Sequence, residues 1–508
     1  MVNLATETDL ELLRQTAQLL VAENERLHRR LLQLTKELAQ AKGNTAVQLE
    51  LEIQRLHEQL QARTRELFGA SSEKRNGSQD AQGSAEPKAK RGHGPRAQAQ
   101  LALVEVVHEL DEPDQICPKC GGDLAPWAEQ FEQAEEIDVV ERSFRIVRHK
   151  RQKYRCGCGE CVETALGPDK LIAGGRYSVD FAIEVAVAKY ADHLPLARQV
   201  RIMGRAGLIT DTQTLWDQLW ALSRHLEPSY RALGPYVLSA EVVGADETTW
   251  RLMESTGAAK WWTWAVSRED AVFYRILASR SAHSARAMLD GFAGIVIADG
   301  YSAYQSLRGE LEEQAKASAS VSPFELAACW AHARRKFVAA EPNYPEVSEV
   351  LDRIGDLYEV ERRARAAPVP LEALRELRRA QSTPIIEDID KWLRTTTALP
   401  RSSLGEAIAY TVKLWPALTR FLANPKIPLD NNATERALRG IAVGRKNHYG
   451  SRSLRGTEVA ALFYSLIESA KLAGVEPQAY LREATTRAIR NPGTVTLPHT
   501  LLPDPSSN

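Results

Sequence analysis

The 508-residue sequence predicts an α/β core preceded by several smaller units, and three observations carry that prediction. Segments rich in β-branched and aromatic residues crowd the stretch from 235 to about 300: "YVLSAEVVGADETTW", "KWWTWAVSR", "AVFYRILAS" and "GIVIADGY". A helical "SAHSARAMLDGF" separates the last two, making a strand–helix–strand unit. After "FELAACW" the chain reads as helix from about 330 to 480, with Pro-containing breaks, so these helices form either the outer layer of the core or an insertion.

The units before the core differ in texture. In residues 1–69, Leu13, Leu20, Leu27 and Leu34 recur every seven positions, and Ala17, Asn24, Leu31 and Leu38 fill a second seam position. This is a coiled-coil pattern in which a lone Asn fixes register and strand number. Gly43-Asn44 interrupts it before a second seam through Leu49, Ile53, Leu56, Leu60 and Leu67. The expectation is self-association into a homodimer or higher oligomer. Residues 70–100 carry almost no large apolar side chain and read as a disordered linker. Residues 101–170 read as a small β-rich unit around the cysteines. Residues 171–234 read as helix, short turn at Gly207, and a second helix opened by Thr210 or Asp211, consistent with a helix-turn-helix that reads DNA. The core then spans 235–480, and 481–508 form a C-terminal tail expected to fray from about Asn491.

Composition narrows the function classes. The net charge of −1 gives no bulk attraction to nucleic acid, so a DNA partner requires local clusters of positive charge. The apolar stretches are interrupted by charges well short of a membrane span, and Glu7, Asp9 and Glu11 leave no signal-peptide core, which predicts a soluble, cytoplasmic protein. Five of the six cysteines lie between Cys117 and Cys161, and in a reducing compartment that bunching favours metal over disulfides. Cys117 and Cys120 in "CPKCGG" have the spacing of a zinc knuckle, and two of Cys156, Cys158 and Cys161 in "YRCGCGEC" would complete a closed, structural Zn²⁺ site. Arg148, Lys150, Arg151 and Lys153 lie between the pairs and offer phosphate contacts.

Asp246 ends the apolar run "VVGAD", and Asp299 ends "GIVIAD" before Gly300. Both acids sit at the predicted C-terminal mouth of a strand. If the strands are neighbours, the carboxylates converge and repel, which suits Mg²⁺ or Mn²⁺. Two such ions about 4 Å apart can activate a hydroxyl and stabilise the leaving oxygen of a phosphodiester. The third acid is best sought in "DNNATERALRGIAVGRKN", where Asp430 or Asn431 caps a helix, Glu435 lies one turn inside it, and Arg436, Arg439, Arg445 and Lys446 surround it. "CWAHARRKF" adds Cys329 and His332 on one helical face, followed by the DNA-clamping candidates Arg334, Arg335 and Lys336. Trp250, Trp261, Trp262 and Trp264 are either strand core or platforms for unpaired bases.

Taken in order, "LFGASSEK", "CPKCGG", "KYADHLPLARQ", "ADET", "ADGYSAY", "CWAHARRKF", "NNATERALR", "GRKN" and "YSLIESAKLAGVEPQAYL" resemble the IS66 family of insertion-sequence transposases over nearly the whole chain. The resemblance implies an RNase H-like core with a DDE triad at Asp246, Asp299 and Glu435. It also implies a helical insertion over roughly 335–425 with Cys329-x-x-His332 near its start. It implies binding of terminal inverted repeats and target duplex DNA, two-Mg²⁺ strand cleavage and strand transfer, a bacterial nucleoid-associated setting, and accessory proteins of the same element as companions. The sequence departs from the family pattern where Cys156 and Cys158 stand one residue apart, and where His448, Tyr449 and Gly450 follow "GRKN". A nuclease or junction resolvase of the same fold, and a non-catalytic zinc-containing DNA-binding regulator, are the rival readings.

Overall fold

In the computed structural model the described residues are 143–155, 162–254, 257–317, 323–366 and 369–502, with Gln33 and Lys119 standing alone. The chain divides into two compact units, Lys74–Ser143 and the remainder, and the architecture below belongs to the larger. The expected coiled coil over 1–69, the linker over 70–100 and the thiols of Cys117, Cys120, Cys156, Cys158 and Cys161 lie outside the described residues.

Strand β1 (Lys153–Arg155) pairs antiparallel with β2 (Val162–Thr164), with Tyr154 opposite Glu163. Arg148, Lys150, Arg151 and Lys153 are all exposed. Three helices follow. Helix α1 (Val179–Tyr190) starts at Ser178, whose hydroxyl accepts from the Phe181 N–H. Helix α2 (Leu196–Arg205) leads through a short turn to α3 (Thr212–Leu238), where Asp211 Oδ1 accepts from Thr214 N–H at 2.8 Å. The predicted helix–turn–helix order is present. However, α3 runs for 27 residues, and Leu215, Leu219, Leu222, Leu226, Leu233 and Val237 bury a continuous stripe in the same core as the sheet. These helices are therefore packed as part of the α/β body.

The sheet is built from β3 (Val242–Glu254), β4 (Gly257–Ser267), β5 (Val272–Leu277), β6 (Ile295–Ala298) and β7 (Glu325–Ala328), in the order β5-β4-β3-β6-β7. The first three run as an antiparallel meander, β6 lies parallel to β3, and β7 lies parallel to β6. Helix α4 (Ala282–Leu289) makes the crossover to β6, and α5 (Ser302–Ala317) the crossover to β7, as parallel pairing demands. Trp250 and Trp264 are buried, so these two of the four tryptophans are core, where truncation costs about 3–5 kcal/mol.

Both sheet edges are covered. Helix α13 (Leu454–Leu472) lies along β5 and turns serine hydroxyls onto its free backbone: Ser469 Oγ accepts from Val272 N–H at 3.0 Å, and Ser465 Oγ from Tyr274 N–H at 2.9 Å. At the other edge the Arg420 guanidinium donates to the Leu326 carbonyl at 3.1 Å.

Beyond β7 the chain is helical, as the sequence predicts: α6 (Trp330–Ala340), α7 (Val347–Ala366), α8 (Leu371–Leu377), a π-helical turn (Arg378–Ser382), α9 (Thr383–Thr395), α10 (Ser403–Lys413) and α11 (Trp415–Leu418). They share a second core with Ile297, Ala327 and Ala328 of the sheet. Inside this layer, buried Arg378 pairs with Glu361 at 2.8 Å. The chain then returns to the sheet through α12 (Asn432–His448), and α14 (Pro477–Arg490) follows α13.

Residues 491–502, expected to fray, are docked instead. Thr496 N–H donates to Ser229 Oγ at 2.9 Å, Tyr480 Oη to the Thr496 carbonyl at 2.9 Å, and the His499 ring stacks on Tyr236. Local Pro and Ser content cannot reveal such partners, of which Ser229 lies 267 residues from Thr496. Among the described residues no helix is long and apolar enough to cross a membrane.

Candidate active site

Asp246 does not end its strand, as the apolar run suggests. The strand β3 continues to Glu254 because β4 pairs with it from Gly244 to Glu254. What ends near Asp246 is the pairing with β6. The last parallel partners are Gly244 and Ile297, and two residues further along each chain stand Asp246 and Asp299. Adjacent parallel strands lie about 4.8 Å apart, so this register sets the two acids side by side at the sheet edge where β6 stops.

Asp299 is held by a tight turn. Its Oδ1 accepts from the Tyr301 N–H at 2.9 Å, and Gly300 adopts φ +80°, a conformation that strains any other residue. From the helical layer, Tyr410 Oη donates to the Asp299 carbonyl.

Glu435 arrives on α12, whose first turn is locked to the same place. Asn431 is buried, and its Nδ2 donates to the Ala245 carbonyl at 2.8 Å, beside Asp246. Its Oδ1 accepts from Thr434 Oγ1 at 2.6 Å, and Thr434 Oγ1 meets Ser267 Oγ at 2.8 Å. Asn431 occupies the cap position that the sequence predicts, but its side chain ties the helix to β3 and makes no capping bond. A Cβ on Gly244 would meet Thr434 Oγ1 at 2.0 Å and Asn431 Oδ1 at 2.5 Å. Alternation along β3 puts Asp246 on the same face as Gly244, toward this helix. Gly244→Ala is therefore expected to cost about 1–3 kcal/mol in urea melts. An unchanged midpoint would mean that α12 does not approach the strand so closely.

The electrostatics match this crowding. Burial, followed by the negative charges of Glu247, Asp299 and Glu435, pushes the Asp246 carboxyl up to about 7, against the pull of the Glu247 N–H on its Oδ1. Glu247 faces the other side of the strand and is also buried. Burial raises its carboxyl, while Arg280 at 2.5 Å and Tyr304 Oη at 2.9 Å oppose the shift. Arg280 in turn lies over the Tyr301 ring, 3.8 Å from its centroid. Glu247 and Arg280 were not singled out from sequence, because their pairing spans 33 residues.

Glu435 has a second set of neighbours on α6. Arg335 Nη2 donates to its Oε2 at 2.7 Å, and His332 Nδ1 lies 3.7 Å from its Oε1. Cys329, just before α6, is buried; burial raises its thiol to about 11, and its Sγ accepts from the Asn431 N–H at 3.2 Å. The donor atoms of Cys329, His332 and Glu435 fall within 4.8 Å of one another, a span inside which Asp246, Asp299 and Glu435 do not all fall.

The other predicted cations divide. Arg436, Arg439 and Lys446 are exposed along α12, and Lys336 is exposed on α6 above the Tyr410 ring. Arg334 is half-buried. Arg445 turns inward, where its guanidinium donates to Thr248 Oγ1 at 3.0 Å and Thr249 Oγ1 at 2.6 Å, so it fastens α12 to β3.

The family model described as "Transposase IS66 family" matches residues 174–459, more than half of the chain and the whole of this sheet and its acids. The chain belongs to the IS66 transposase family. A second family model, the zinc-finger binding domain of transposase IS66, matches residues 114–159. Its span takes in Cys117, Cys120, Cys156 and Cys158 and stops before Cys161. Two relatives from Sinorhizobium fredii (strain NBRC 101917 / NGR234) extend the similarity beyond the core. "Uncharacterized protein y4jD" is 31% identical over 410 residues, covering 78% of each chain. "Uncharacterized protein y4qI" is 32% identical over 419 residues, covering 79% of this chain and 75% of its own. This member of the family thus retains a family zinc-finger segment and the transposase domain in one chain.

Proposed function

We propose that this IS66-family protein is a DNA transposase that binds the terminal inverted repeats of its element and catalyses strand cleavage and strand transfer through Asp246, Asp299 and Glu435. The observation that carries the reading is the charge coupling of three acids, from β3, the residue just past β6 and the first turn of α12. They are close enough for the charges of Asp299 and Glu435 to raise Asp246. An all-oxygen donor set of mutually repelling carboxylates, of which Glu435 is partly neutralised by Arg335, fits hard divalent cations. When bound, two Mg²⁺ or Mn²⁺ ions activate the attacking oxygen and stabilise the leaving one. The meander followed by two parallel strands supports an RNase H-like core, and the helices from α6 to α11 support the inserted layer between the second and third acids.

The chain's own residues supply position and charge. Asn431 and Thr434 hold Glu435 against β3, and the Gly300 turn aims Asp299. Exposed Arg436, Arg439 and Lys446 on α12, with Lys336 on α6, form a cationic border for a phosphate backbone. Exposed Arg148, Lys150, Arg151 and Lys153, which lie in sequence between the cysteine pairs, would extend backbone contact, and Cys117 and Cys120 with two of Cys156, Cys158 and Cys161 would hold structural Zn²⁺. The helices α1 to α3 would add end recognition, and the coiled coil over 1–69 would pair two protomers so that two ends are held together. A cytoplasmic, nucleoid-associated setting and companion proteins of the same element follow from this reading. Incubating the protein with a labelled duplex bearing the element's end and an unlabelled target tests it. Joined products are expected; cut ends without joining would favour a nuclease or resolvase, and binding without strand chemistry a regulator.

A further inference from the structure

Cys329 and His332 lie beside the acid triad without belonging to it. Cys329 Sγ, a His332 ring nitrogen and a Glu435 oxygen form the three-donor group within 4.8 Å among the described residues. His332 Nδ1 is 3.7 Å from Glu435 Oε1. Tetrahedral zinc, with bonds of about 2.0–2.3 Å, sets its ligands about 3.3–3.7 Å apart, so small rotations close the set. Glu435 Oε1 is buried and accepts no hydrogen bond among the described residues, while Arg335 holds Oε2. The frame is rigid: Cys329 N–H continues the sheet ladder to the Ala298 carbonyl at 3.1 Å, and its Sγ receives the Asn431 N–H.

We propose that Cys329, His332 and Glu435 Oε1 form a second, open zinc site, and that Zn²⁺ held there competes with the Mg²⁺ pair for Glu435. A thiolate and an imidazole select zinc over magnesium, and three protein ligands leave a fourth position for water. The thiol gives up its proton on coordination. Arg335 couples to the same site. Its Nη1 can only donate, so at 3.0 Å His332 Nε2 accepts, and the neutral ring carries its proton on Nδ1. Zinc at Nδ1 moves that proton to Nε2, which can no longer accept, so filling the site turns Arg335 away from His332. The competition rests on the triad reading; the zinc site does not.

The test uses the full-length protein equilibrated with ZnCl₂ in excess Mg²⁺ and desalted, with zinc per chain measured by mass spectrometry. Wild type is expected to hold one more ion per chain than either Cys329→Ser or His332→Gln. Cys329 is buried, so His332→Gln, whose position is partly exposed, keeps the test independent of a folding defect, with circular dichroism as the check. Equal zinc in wild type and His332→Gln overturns the site. At fixed Mg²⁺, added zinc is expected to suppress wild-type cleavage. The zinc needed should rise at least about tenfold in His332→Gln, since even an outer-shell partner is worth about 10–100-fold in metal affinity. Equal suppression of both proteins overturns the competition. A wild type that cuts nothing counts against the triad and with it the competition, while the zinc count still decides the site.

Discussion

Asp246→Asn is expected to stabilise the metal-free protein at pH 8 while abolishing strand cleavage. Burial and neighbouring charge push the Asp246 carboxyl up to about 7 in the folded protein, against about 3.9 in an unfolded chain. Between those values the folded state keeps a proton that the unfolded chain has released. Stability therefore falls as pH rises from about 4 to about 7, and the loss is complete above that range. The difference is on the order of 4 kcal/mol, reduced by whatever relaxation the half-open site permits. Asn is neutral at every pH and escapes this loss. Thermal melts in EDTA at pH 5 and pH 8 should show wild type losing stability at the higher pH and the variant not. Saturating Mg²⁺ should raise the wild-type midpoint at pH 8 and leave the variant little changed. A wild-type midpoint insensitive to both pH and Mg²⁺ would mean that the acids do not crowd one another.

Asp299→Ala is expected to lose cleavage by several orders of magnitude while binding an end-bearing duplex with nearly wild-type affinity. Removing an acid from the proposed divalent-ion site would take away charge stabilisation that develops in the transition state. The proposed DNA contacts lie on other elements: α12, α6 and the basic residues from Arg148 to Lys153. The backbone features of the Asp299 turn, Gly300 and the Tyr410 bond to the carbonyl, do not need the carboxylate, so the turn should persist. Gel shifts and cleavage assays on the same preparation separate the two effects. Joint loss of binding and cleavage would mean that Asp299 acts as a structural turn residue.

The parts of this architecture visible in the sequence are those with local signatures. The strands around Asp246 and Asp299 announce themselves through β-branched and aromatic runs, and α4 through its place between two of them. Local sequence presents Glu435 only as an acid in a basic helix, and its choice as third acid leaned on the family resemblance. Its tie to the sheet depends on Asn431 reaching the Ala245 carbonyl across 186 residues. Separations from 100 to 267 residues likewise hid Arg335 on Glu435, the serine hydroxyls of α13 on the β5 edge, and the docking of Thr496 on Ser229. The misread end of β3 has a different cause. Polar residues after Asp246, including Thr248, Thr249 and Arg251, look like a strand leaving the core. In a sheet whose neighbour β4 continues, they remain paired because one face is turned to solvent or to α12. Arg445 shows the converse: a cation in a basic run reads as a DNA contact, but it is fastened to Thr248 and Thr249.

Asp246, Asp299 and Glu435 are proposed to act together in metal-dependent strand chemistry. The most direct measurement compares wild type with Glu435→Gln on a labelled duplex carrying the element's own end, with and without Mg²⁺. Glu435→Gln keeps the shape of the side chain and removes its charge. Wild type should nick the end and join it to target DNA only with Mg²⁺, and the variant should do neither while still binding the end. Undiminished nicking and joining by Glu435→Gln would mean that the Glu435 carboxylate takes no part in the strand chemistry.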